Sequence, residues 1–307
     1  MTEASIGGST ATRRAPSAFG TDLMLLGVAG LWGMSYALAK QATQHLPVLQ
    51  FLALRFGLTF VVLLPALKPL FGPAWRQGLA VGGALGANLL AIFLCETFGV
   101  SLTSAANAAF LISLCVAITP FAEWWLIGRR PRSRMFVAAS ASALGAALLS
   151  ATSAANIATG WGDALMLAAA VLRAVMVCLT KRLAAHHKLP ALTLTALQSG
   201  VVAVGASLLC CAAPTRRVVA WPTDLGFWWA IGFLVVFCTV FAFFAQNHAA
   251  SRTSPSRVSL MMGCEPLFGA LFATAWLGES VPPIGWLGGG LIVASAWWVT
   301  APSRSRS

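Results

Sequence analysis

A chain of 307 residues that is 58% hydrophobic and only 9% charged, with a mean hydropathy of +0.81, is not a water-soluble globule; about one quarter of such a protein is charged. The formal charge of +12 falls in short basic clusters between apolar runs, which is the loop pattern of a polytopic membrane protein and excludes a basic nucleic-acid-binding face. There is no G-x-S-x-G, H-E-x-x-H, Walker loop or dinucleotide fingerprint, and the seven cysteines lie in apolar runs without C-x-x-C spacing, so no enzymatic activity, cofactor or bound metal is expected.

In chain order, residues 1–20 are small and polar with Arg13 and Arg14, a composition that cannot bury a core and is expected to form a disordered cytoplasmic tail. Ten apolar segments follow at about 21–41, 47–67, 74–98, 103–127, 133–151, 161–182, 190–212, 226–249, 254–277 and 281–300. Each is near the roughly 20 residues that carry a helix across a hydrocarbon core of roughly 30 Å. A short tail, 301–307, closes the chain. With the N-terminus inside, fifteen Lys and Arg collect on the inner side and three, Lys40, Arg216 and Arg217, on the outer. The expected chain is therefore an all-α polytopic protein of the inner membrane with both termini cytoplasmic.

The chain also repeats itself. Asp22 precedes Lys40 by the same interval as Asp163 precedes Lys181, Arg55 matches Gln198, and Thr103-Ser104 through Gly128 matches Thr253-Ser254 through Gly278. Two halves of five spans result, 21–151 and 161–300. An odd number of spans turns the second half upside down, the architecture of many alternating-access carriers.

Four residues fall near mid-depth: Trp32, as a cavity wall or as core packing, Asn88, as a cavity residue or an interhelical hydrogen bonder, and the charged Arg173 and Glu265, which neither lipid nor a dry core tolerates singly. Arg173 and Glu265 carry opposite charges, so they are expected to approach one another, either in a hydrated cavity or as a structural ion pair between halves. Pro120 and Pro266 remove backbone donors and are expected to kink spans four and nine, freeing the carbonyls of Val116 and Met262. Asn107 is a further polar candidate in span four, as a cavity residue or an interhelical hydrogen bonder. A zwitterionic amino acid suits such a site, its carboxylate on Arg173 and its ammonium on Glu265. Lys40, Arg55 and Glu96 form an outer set, and Lys181, Gln198, Gln246 and His248 an inner one. Inverted symmetry makes them candidate gates, with ordinary anchoring as the alternative.

The motifs L-W-G-M-S-Y (Leu31 to Tyr36), A-L-R-F (Ala53 to Phe56), T-S-A-A-N-A-A (Thr103 to Ala109), C-E-P-L-F-G-A-L-F from Cys264 and W-L-G-E (Trp276 to Glu279) together resemble the EamA-type carriers of the drug/metabolite transporter superfamily. Within that family they resemble the YddG-like exporters of aromatic and other neutral amino acids. The resemblance implies ten transmembrane helices in two inverted five-helix repeats. It also implies a cavity lined by helices one, three, four, six, eight and nine, and export of small metabolites. Expected partners are the lipid bilayer and an amino-acid substrate. An exporter of cationic or aromatic drugs or purine-like metabolites stays open, as does a pore or a non-transporting scaffold.

Overall fold

The computed structural model describes residues 18–72, 75–103, 105–150, 160–187, 189–212, 221–277 and 280–301. Most of both expected tails, and the outer-loop residues Arg216 and Arg217, lie outside the described residues. So does the side chain of Lys40.

Among the described residues the chain is helical and has no strands. The elements are α1 (Ala18–His45), α2 (Val48–Leu63) running into a 3₁₀ turn (Leu64–Phe71), α3 (Trp75–Leu102), α4 (Ala105–Ser113), α5 (Cys115–Ile127) and α6 (Ser133–Ser150). The second half holds α7 (Trp161–His187), α8 (Ala191–Ala212), α9 (Leu225–Val235), a π turn (Val236–Phe241), α10 (Ala242–Arg252), α11 (Pro255–Met262), α12 (Glu265–Leu277) and α13 (Pro283–Thr300). Among the described residues, eight stretches are long and apolar enough to cross a membrane. Across the bundle Val61, Val62, Leu144, Leu208 and Val293 are exposed, while Arg55, Thr119, Gln198, Asn247 and Glu265 are buried. Polar groups inside and aliphatic groups outside are what a bilayer solvent selects.

The helices pack as two related sets. α2 lies on its counterpart α8, and α6 on its counterpart α13; α3 lies on α7, as α9 and α10 lie on α1. Self-pairing of two elements and exchange of the others is the contact pattern of a two-fold relation between halves. At the α6–α13 crossing, a Cβ on Gly145 would meet the Gly288 carbonyl at 2.5 Å, and one on Gly288 would meet that of Gly145. Only glycine permits that backbone approach.

The expected proline kinks are corrected by the structure. Span four is divided at Leu114, six residues before Pro120, which sits inside α5. Span nine is divided at Gly263 and Cys264, so Pro266 occupies the first turn of a new helix, where a missing N–H costs little. Leu114 and Cys264 are 150 positions apart, the interval that separates Thr103 from Thr253. The breaks are therefore equivalent points of the repeat, and the two prolines are not counterparts.

Candidate functional site

The break in span nine starts α12 at Glu265, which places its carboxylate inside the bundle opposite α7. Arg173 Nη2 donates to Glu265 Oε2 at 3.2 Å, and both side chains are nearly shut from solvent. The Arg173 guanidinium also lies over the Trp32 ring, 4.6 Å from its centroid, a cation–π contact that holds it flat. Trp32 is fixed in turn, because its indole N–H donates to the Cys238 carbonyl at 2.9 Å and its ring leans on Phe243 at 5.5 Å. Beside Trp32 two backbones also meet closely: a Cβ on Gly33 would sit 2.6 Å from the Glu265 carbonyl and 2.7 Å from the Gly269 amide. Glycine there lets α1 touch the start of α12.

Around this pair lies a hollow of about 30 Å³ lined by Trp32, Ser35, Arg55, Phe93, Glu96, Arg173, Met176, Phe243, Gln246 and Glu265, among others. A second hollow of about 20 Å³, beyond Arg173, Gln246 and Glu265, is lined by Ser113, Cys115, Ser259, Met262 and Pro266. Each has room for only one or two water-sized groups. Arg55 Nε donates to Thr239 Oγ1 at 3.0 Å, and its guanidinium lies near the Phe56 and Phe93 rings. Glu96 lies within electrostatic reach of Arg55, Arg173 and Glu265. The cavity thus gathers two guanidinium groups and two carboxylates, balanced in charge.

Its walls obey the repeat. The 141 positions from Asp22 to Asp163 also separate Trp32 from Arg173 and Ser35 from Met176. The 150 positions from Thr103 to Thr253 also separate Phe93 from Phe243, Glu96 from Gln246, and Cys115 from Glu265. Equivalent positions of the two halves line the hollows together, with Phe93 and Phe243 alike and the other pairs differing in chemistry.

Several expected site residues are brought together here, and others are not. Trp32, Arg173 and Glu265 line the first cavity, and Pro266 the second. Asn88 does not line either; its amide donates to the Leu172 carbonyl at 3.2 Å, joining α3 to α7 beside Arg173. Asn107 donates to Asp163 Oδ1 at 2.6 Å in a latch that also takes the Thr103 hydroxyl at 2.8 Å. Pro120 is buried in α5 away from both hollows. Of the expected gate residues, Arg55, Glu96 and Gln246 belong to the cavity wall, so they are not a separate level above or below it. Helix α2 thereby contributes to the cavity through Arg55, which the helix set implied by the family resemblance omits. Gln198 and Lys181 stay apart: Gln198 Oε1 accepts from Asn247 at 2.8 Å and Lys181 Nζ donates to the Ser251 carbonyl at 3.1 Å, both tying helices to α10. His248 leans on Phe244 at 5.7 Å.

Three features have no counterpart in the sequence reading. The π turn over Val236–Phe241 presents the Cys238 carbonyl to Trp32 and the Thr239 hydroxyl to Arg55, a local widening of the helix that often marks working sites. Buried Glu123 accepts from the Ser256 amide at 2.9 Å and from the Ser256 hydroxyl, placing a carboxylate on the first turn of α11. Arg257 grips Asp22 with two hydrogen bonds, Nε to Oδ1 at 3.1 Å and Nη2 to Oδ2 at 2.5 Å.

Comparison with known proteins agrees with this architecture. The family model of the EamA-like transporters matches twice, over residues 20–151 and 160–301. An uncharacterized transporter of Archaeoglobus fulgidus is 26% identical over 276 residues, covering 89% of this chain and 83% of that protein. A solved crystal structure superposes with a TM-score of 0.73 at 20% identity, covering 92% of this chain and 97% of the other. That likeness bears on the fold alone.

Proposed function

Because the chain belongs to the EamA-like transporter family, we propose that it exports amino acids, aromatic and other neutral ones foremost, with related small metabolites, by alternating access around the cavity at Arg173 and Glu265. In this reading the molecule has ten transmembrane helices, since α4 with α5, α9 with α10, and α11 with α12 each make one span. The halves are inverted about the membrane plane, with both termini in the cytoplasm.

The observation that carries the reading is a hollow in which two guanidinium groups and two carboxylates balance where the halves meet. A zwitterion presents one charge of each sign and finds a partner for each, whereas a lone cation or anion leaves one wall unanswered. Phe93, Phe243 and Trp32 offer ring surface to an aromatic side chain. A cationic drug is favoured less, because Arg173 offsets the charge of Glu265 at 3.2 Å. At about 30 Å³ the hollow is far smaller than a whole amino acid. Loading then requires the helices to part on one side at a time.

The test is counterflow of radiolabelled phenylalanine into proteoliposomes loaded with unlabelled amino acid. Saturable uptake driven by internal substrate is expected, and Glu265→Gln is expected to lower it at least about tenfold by leaving Arg173 without its counter-charge. Absence of counterflow with every amino acid removes the cargo assignment. Ohmic currents in planar bilayers would make the molecule a pore.

A further inference from the structure

We infer that the two ends of the cargo are received by Arg55 and by an acceptor cluster of Glu96, Gln246 and Glu265 Oε1, while Arg173 serves as the positioning group of the wall. The inference rests on the amino-acid reading above and redistributes the roles within that site.

Arg173 is already engaged: one N–H group is on Glu265 Oε2, and the guanidinium face is on Trp32. Arg55 is differently placed. Only its Nε is used, by Thr239 at 3.0 Å, and its other N–H groups have no acceptor among the described residues although the side chain lines the cavity. A guanidinium presents five N–H donors in a planar fork that matches a carboxylate with two parallel hydrogen bonds. The Phe56 and Phe93 rings and the Thr239 hydroxyl hold that fork without neutralising it. The geometry is that of a waiting anion receptor.

The opposite end of the cargo has its own receptors. Gln246 Oε1 and Glu265 Oε1 are both buried oxygens without a donor, and both residues line the cavity. Glu96 lines it too, and its carboxylate has no hydrogen-bond partner among the described residues. Buried acceptors left without donors are costly and rare in folded proteins. Here they cluster around one hollow, and a primary ammonium brings three N–H donors to three acceptor groups. Ammonium is also close to water in size, which suits a space of about 30 Å³.

The repeat explains how the cluster arose. Glu96 and Gln246 are equivalent positions of the two halves, brought to one cavity by the two-fold relation. The acid and its amide analogue share a shape but differ in charge and in one acceptor oxygen replaced by an NH2 donor, so the fold already carries the neutral form at this position once. Glu96→Gln therefore makes the two walls alike without changing shape.

The experiment measures counterflow of labelled phenylalanine in proteoliposomes with two competitors, phenylpropionate, which lacks the ammonium, and phenylethylamine, which lacks the carboxylate. In the natural protein each competitor is expected to be at least about tenfold weaker than phenylalanine. Glu96→Gln is expected to raise the KM for phenylalanine about ten- to a hundredfold, the range for a lost hydrogen bond to a charged group. It is also expected to shrink the preference over phenylpropionate to within about threefold while the preference over phenylethylamine stays. Arg55→Gln is expected to do the reverse. Glu96→Asp, which keeps the charge, is expected to retain the ammonium preference and carries the test if the amide variant does not fold. Equal weakening of all three compounds by either variant, an unchanged KM in Glu96→Gln, or lost ammonium preference in Glu96→Asp overturns the assignment. If the natural protein exchanges no amino acid at all, the cargo reading fails first and this one falls with it. Counterflow in the natural protein with end-blind variants defeats only the present inference.

Discussion

Asp22, near the start of α1, is gripped by Arg257 at 2.5 and 3.1 Å, and Asp163, near the start of α7, by Asn107 at 2.6 Å and Thr103 at 2.8 Å. The aspartates are 141 positions apart, as Trp32 and Arg173 are; Asn107 and Arg257 are 150 apart, as Thr103 and Thr253 are. These are one junction made twice, joining the first helix of each half to the fourth span of the other half. One copy uses a guanidinium and the other an amide with a hydroxyl. The repeat kept the carboxylates and their places and let the partners drift. A two-armed pair of opposite charges is the stronger of the two, although its side chains, 23% and 13% exposed, temper the gain. Both junctions are made at once. On the proposed inverted topology the charged latch faces the cytoplasm and the neutral one the outside.

The comparison can be broken at either latch, and the charged one gives the largest effect. Asp22→Asn leaves Arg257 half-buried without its counter-charge, at a cost of about 2 kcal/mol, which shifts a two-state equilibrium roughly thirtyfold. Labelling of Ser35→Cys, placed in a background lacking the seven native cysteines, by a membrane-impermeant maleimide is expected to rise from the cytoplasmic face by about that factor. Unchanged labelling would mean the pair only anchors a helix. Asp163→Asn is expected to open the other face by a smaller factor, about five- to tenfold, because a neutral acceptor replaces the carboxylate while Asn107 and Thr103 remain. The same reagent added from outside reads it, and a rise from the cytoplasmic side would contradict the assignment of faces. Asn107→Arg restores a charged latch to the second junction. It is expected to slow turnover about two- to fivefold with little change in KM, since it holds one face shut without touching the cavity; a KM rise with normal turnover would place Asn107 in the binding site. Thr103→Ala is the smallest, about 0.5–1 kcal/mol, seen as a modest drop in melting temperature in detergent with transport kept near normal.

Much of this was legible in the chain. Apolar run lengths give an all-helical membrane chain, and the matched intervals from Asp22 and Asp163 agree with the two matches of the family model. The scarcity of intramembrane charge singles out Arg173 and Glu265, whose contact at 3.2 Å follows from the cost of leaving either alone. Proline is a visible breaker and draws the expected interruptions to Pro120 and Pro266, whereas the true breaks at Leu114 and at Gly263 and Cys264 contain none. At Ser113-Leu114-Cys115 and Gly263-Cys264-Glu265 the signal lies in the 150-position register. Arg55, Glu96 and Gln246 were set at separate gate levels by counting depth from span ends, which treats helices as straight rods. The π turn at Val236–Phe241 and the breaks at Leu114 and Gly263 shift heights along the spans. Asn107 illustrates the use of that register: with Arg257 on Asp22, its equivalent Asn107 falls on Asp163, the equivalent of Asp22.

The account stands on a central cavity that meets water on each side in turn. Its most direct measurement is labelling of Ser35→Cys from either face of oriented vesicles, with and without saturating phenylalanine. The expected result is reaction from both faces, with cargo slowing both and the two aspartate variants driving reactivity in opposite directions. A cysteine that no face reaches during turnover, or one reached from both faces at rates that neither cargo nor the latch variants alter, would contradict it.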